Sequence, residues 1–121
     1  MRTRGQERSA FALREVCEIP ENIKKDFASF SAGVPAMILQ NGLGQTFAFL
    51  CAKSKDDTKD KHYLMAEIIK KWISEYRSET IRSHKEFIQL LSERDQEFYF
   101  SVQKEVLLFL EWVKRYANAE L

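Results

Sequence analysis

Asn41-Gly42-Leu43-Gly44-Gln45 lies between two apolar runs, Pro35-Ala36-Met37-Ile38-Leu39 and Thr46-Phe47-Ala48-Phe49-Leu50-Cys51, and its reading decides the rest. Both flanking runs are helical in character, whereas a glycine inside a helix costs about 1 kcal/mol relative to alanine. Two glycines separated by one leucine therefore predict an abrupt break. Asn41-Gly42 suits a helix ending on a left-handed residue, because glycine meets no Cβ penalty at positive φ. Gly44 then either admits a close neighbour or starts the next helix. The stretch is not a phosphate loop. Phe47 stands where a third glycine is needed, no strand pattern precedes it, and no Gly-Lys-Ser/Thr follows.

Outward from the break the periodicity is helical almost everywhere. Ala10, Leu13, Val16 and Cys17 mark one face of a first helix, and Ile23, Phe27, Phe30 and Val34 form a stripe after Pro20. Gly33 and Pro35 punctuate the chain before a short helix ending at Asn41, and a further helix runs from about Gly44 to Lys55. Lys53 to Lys61 (KSKDDTKDK) has no apolar residue and reads as a charged loop. Leu64, Met65, Ile68, Ile69, Trp72, Ile73 and Tyr76 then describe an amphipathic helix. Ser83, with Glu86 three residues on, carries the pattern of a capping box. A final helix starts near Asp95, with Phe98, Val102, Val106, Phe109, Val113 and Tyr116 on one stripe. No segment alternates apolar and polar residues for long. The prediction is an all-α single domain over residues 1–121, a bundle of about six helices with a long C-terminal helix.

That last helix is apolar around most of its circumference at Leu107-Leu108-Phe109-Leu110 and again at Phe98-Tyr99-Phe100. Such a helix is either the centre of the bundle or presents one face to a partner.

Charge narrows the choice of function. Lys and Arg number 19 against 18 Asp and Glu, so the net charge is only +1 and nucleic-acid binding must rest on local clusters. Cys17 and Cys51 have apolar neighbours and read as core thiols. With only His62 and His84 to join them, neither a metal site nor a cofactor site is predicted. Both histidines read as surface residues. The absence of a long apolar span or a signal-peptide core predicts a cytoplasmic protein with no membrane partner.

Catalysis finds one candidate. Arg77 and His84, with six residues between them, fit the outer limit of the R-x(4–6)-H motif of HEPN-type ribonucleases, in which arginine holds phosphate while histidine moves a proton. Asp56 and Asp57 sit among lysines and read as a solvated loop. Phosphate contact has better candidates. Arg2, Arg4 and Arg8 gather against Glu7, and Arg4 and Arg8 share a helix face. Lys53, Lys55, Lys59 and Lys61 are partly cancelled by Asp56, Asp57 and Asp60. Lys114 and Arg115 close the last helix, where cations also offset the helix dipole.

Three segments carry a family resemblance. Pro35 to Leu50 (PAMILQNGLGQTFAFL) resembles the central signature of the small helical subunit of the type III-B CRISPR RNA-targeting (Cmr) complex. Glu105 to Ala117 (EVLLFLEWVKRYA) resembles that family's closing helix, and Gln6 to Ala12 (QERSAFA) its opening. They cover about a third of the chain, in the family's order. Two features depart from it: Glu18 to Asn22, with Pro20, interrupts the early helix, and Glu111 puts a negative charge beside Trp112. The resemblance implies a non-catalytic subunit in antiviral defence that takes no small-molecule substrate. Its implied partners are the other Cmr subunits, copies of itself in a filament, and the backbones of guide RNA and target RNA. On that reading Arg4, Arg8, Lys114 and Arg115 contact phosphates, and Asn41 and Gln45 make polar contacts at the break. The competing reading is a helical protein-interaction module without RNA.

Overall fold

A computed structural model describes residues 1–121. Six helices follow one another: α1 (Arg4–Cys17), α2 (Lys24–Ser31), α3 (Val34–Ser54), α4 (Lys61–Arg77), α5 (His84–Glu93) and α6 (Gln96–Asn118), with a 3₁₀ turn at Glu21–Ile23 before α2. The fold is all-α, without strands, and α6 is its longest helix.

The helix starts follow side-chain chemistry. Thr3 and Gln6 form a reciprocal capping box on α1, and Asp60, Ser83 and Asp95 accept backbone N–H groups at the starts of α4, α5 and α6. The box expected at Ser83 closes only halfway. Ser83 Oγ accepts from Glu86 N–H, but the Glu86 carboxylate takes the N–H of Arg82 instead of that of Ser83. The stripe from Ile23 to Val34 is divided, since α2 stops at Ser31 and Val34 opens α3 with Pro35 in its first turn. The charged loop shortens to 55–60, because α3 continues to Ser54 before Lys55 turns left-handed.

The predicted break is real and has its own geometry. Gly42 adopts φ 83° and ψ 159°, a region essentially reserved for glycine. It is therefore not the left-handed C-cap expected, whose ψ would lie near 47°. Its extended ψ instead resembles a residue that starts a helix, and helix resumes at once on the far side, so the break lies inside α3. The N–H groups freed there turn toward α6. Leu43 N–H donates to Gln103 Oε1 at 2.8 Å and Gly44 N–H to Tyr99 Oη at 2.9 Å. Gly42 admits this close approach, since a Cβ there would lie 3.1 Å from the tyrosine oxygen.

α6 packs against α1, α2, α3 and α4. Val102, Val106, Phe109 and Val113 on its predicted stripe are fully buried, whereas Phe98 and Tyr116 are half-buried. Leu107 is also half-buried, and Leu108 and Phe100 face solvent at 42% and 54% exposure. The helix is thus central to the bundle, with one strip of it uncovered.

A single carboxylate joins three helices. Glu105, 4% exposed, receives Nε and Nη2 of Arg8 at 2.7 and 2.9 Å and the indole N–H of Trp72 at 3.0 Å. The hydrogen bond to Glu105 raises the Arg8 pKa against the opposing effect of burial. Around this group Trp72 stacks on Phe109 at 5.0 Å, and Phe11 meets both rings edge-on. Removing one member of a buried ion pair leaves an uncompensated charge, which costs about 3–5 kcal/mol. Glu105→Ala is expected to lower unfolding free energy by about that amount in chemical denaturation. Glu105→Gln, which keeps one acceptor, is expected to lose less.

Candidate nucleic-acid interface and docking face

The six residues singled out for RNA contact are not brought together at one place. Ser9 Oγ and Tyr116 Oη lie 2.5 Å apart, which ties the middle of α1 to the last turns of α6. Yet α1 runs alongside α6 with Arg8 on Glu105, Phe11 on Phe109 and Val16 near Ala117. Arg4, over the Tyr76 ring at the end of α4, therefore lies away from Lys114 and Arg115. Asn41 and Gln45, both exposed, flank the break against Tyr99. With a rise of about 1.5 Å per residue, Tyr99 and Lys114 are roughly 22 Å apart along α6.

The cations differ in how free they are. Arg4 has 50% of its side chain exposed, pairs with Glu7 at 3.0 Å and lies over the Tyr76 ring at 4.6 Å. Lys114 pairs with Glu111 at 3.3 Å, so the acid that departs from the family pattern sits on the proposed basic pair. Both are weak surface pairs that a phosphate can displace. Arg115 is exposed and has no ion-pair partner. Arg8 is different. Its guanidinium is inserted between helices and its charge is already matched by Glu105.

The sequence reading of the histidines needs correction, since neither is a free surface group. His62 Nδ1 lies 2.7 Å from Asp60, and its ring packs edge-on against Phe30 and Phe49. His84 Nε2 lies 2.9 Å from Glu67 Oε1, which Lys70 also approaches at 3.2 Å, and its ring packs on Phe47 and Tyr63. Arg77 is engaged elsewhere, its guanidinium 4.8 Å from the Phe98 ring centroid. The arginine and histidine of the ribonuclease motif therefore do not converge on a common point. The cysteines also depart from expectation: Cys17 is exposed and Cys51 half-buried. No three His, Cys, Asp or Glu side chains cluster as metal ligands would, and no helix is long and apolar enough to cross a membrane.

One surface that the sequence only half disclosed is the uncovered strip of α6. Leu39, 73% exposed, and Pro35 from the first half of α3 face Phe100, Leu107 and Leu108 across a shallow groove. Gln103, Lys104 and Glu111 also line it. Leu39 sits in an apolar run with no periodicity to mark it as outward-facing, so only the helix pairing identifies it.

Comparison with known proteins bears directly on this architecture. Residues 4–120 match the model of the family described as CRISPR-associated protein (Cas_Cmr5). The chain belongs to the Cmr5 family. Its fold is also similar to the crystal structure of a CRISPR-associated Cmr5 family protein from Thermus thermophilus. The TM-score is 0.75 at 25% identity, over 98% of this chain and 97% of that one. Family membership thus spans all six helices, including the break in α3 and the closing turns of α6.

The Glu67 cluster makes stability depend on pH. Burial raises the Glu67 pKa, but hydrogen bonds and charge from His84 and Lys70 outweigh it and hold the group below its ordinary value of 4.5. A carboxyl lowered in the folded state stabilises fully above its unfolded pKa, and that stabilisation is lost as pH falls through the folded value. Denaturation midpoints measured from pH 7 down to pH 3 are expected to fall mostly below about pH 4.5. Glu67→Gln is expected to flatten that acid limb while leaving the protein folded at pH 7.

Proposed function

We propose that this chain is a non-catalytic small subunit of a type III-B Cmr complex, an RNA-guided, RNA-targeting assembly of antiviral defence. The observation that carries the reading is the family match over residues 4–120, with exposed Arg115 beside half-buried Lys114 where the closing family motif falls. Base pairing supplies sequence specificity in such an assembly, and the protein supplies shape and charge along the backbone. Arg4, Lys114 and Arg115 contact phosphates of guide or target. Arg8 supports them from behind by fixing α1 on α6. Asn41 and Gln45 form a second, uncharged contact at the break.

The groove of Leu39, Phe100 and Leu108 is the docking face for a second copy of the chain. Two features favour that occupant. The net charge of +1 lets copies stack without strong self-repulsion. The groove also carries one lysine and one glutamate beside its apolar residues, so a like surface meets no excess of either sign. An RNA-free interaction module is the second reading, and it predicts no co-assembly with guide RNA and the larger subunits.

Salt dependence tests the site. In the reconstituted complex, log affinity for target RNA falls linearly with log salt, and each phosphate contact contributes about 0.7–0.9 to the slope. Neutralising Arg4, Lys114 and Arg115 together is expected to reduce the slope by about 2. An unchanged slope removes these residues from the interface.

A further inference from the structure

The bend at Gly42 and the groove beside it share their parts. Pro35 and Leu39, one wall of the groove, precede the bend, while the other wall, Phe100, Leu107 and Leu108, belongs to the helix that caps it. Gln103 belongs to both, since it lines the groove and accepts from Leu43 N–H. The angle at Gly42 therefore sets the position of Leu39 against Phe100.

The bond count across the bend leaves a close alternative. In an unbroken helix Leu43 N–H would donate to Leu39 C=O and Gly44 N–H to Gln40 C=O. In the bent form those two donors go to Gln103 Oε1 and Tyr99 Oη. Two hydrogen bonds replace two, so hydrogen bonding alone does not strongly favour either form. Glycine permits both backbone states. The bend is held by the burial of Val34 and Ile38 on one side and by the two α6 side chains on the other.

We infer that Tyr99 and Gln103 form a latch: they hold Val34–Asn41 in the orientation that builds the apolar groove, and releasing them dismantles it. Copy-to-copy docking and closure of the latch then stabilise one another reciprocally. This inference rests on the reading of the groove as the docking face.

The test uses the full chain and two readouts. Backbone amide exchange at Gly44 reports the latch, and sedimentation velocity reports self-association. Tyr99→Phe removes one hydroxyl and leaves every groove-lining residue in place. It is expected to speed Gly44 exchange about tenfold, the equivalent of one hydrogen bond. Self-association is expected to weaken about fivefold or more. Gly42→Ala, whose Cβ would lie 3.1 Å from the same oxygen at a φ of 83°, is expected to act in the same direction. Tyr116→Phe, which loses its bond to Ser9 instead, is expected to match the wild type in both readouts. Undiminished association of Tyr99→Phe overturns the latch and leaves the docking face standing, and so does unaltered Gly44 exchange. A wild-type chain that stays monomeric at every concentration removes the docking face and the latch together.

Discussion

A carboxylate in the middle of the longest helix has to find partners or unfold the protein. Glu105 lies on the inward side of α6, where an unpaired charge costs several kcal/mol. Its partners come from two other helices, a guanidinium from α1 and an indole N–H from α4, and so their positions around α6 are fixed together. The ring stack of Phe11, Trp72 and Phe109 fills the space beside it. Such a network specifies one arrangement of three helices, because any slip leaves several polar groups unsatisfied at once.

The same constraint shapes the surface. With Arg8 drawn inward, Arg4 is left exposed over the Tyr76 ring at the end of α4, while the end of α1 lies along the closing turns of α6. Elsewhere along α6 the core side of the helix is saturated, and its remaining apolar residues have only the first half of α3 for company. The bend at Gly42 separates that half from the rest of α3.

Much of this was legible in the residues. Gly42 and Gly44 announced the break because glycine is poor within a helix, and Asp95 and Ser83 announced helix starts because their side chains satisfy free N–H groups. The ends of α3 and α4 were less legible. Lys55 and Ser78 take left-handed conformations without a glycine to signal them. The candidate site was legible in its charges but not in their pairing. Arg8 and Glu105 are separated by 97 residues, and nothing local distinguishes Arg8 from Arg4. Likewise, His62 and His84 read as surface groups because their aromatic neighbours Phe30, Phe49 and Phe47 come from other helices. Tyr99 and Gln103, one turn apart on α6, gave no sign that their polar ends serve a bend more than 50 residues earlier.

Isolation of the tagged chain from its native cell, followed by identification of what accompanies it, tests the account most directly. The account predicts larger Cmr subunits in fixed proportion and a bound guide RNA that resists mild salt. Recovery of the chain free of nucleic acid and of those subunits would contradict it.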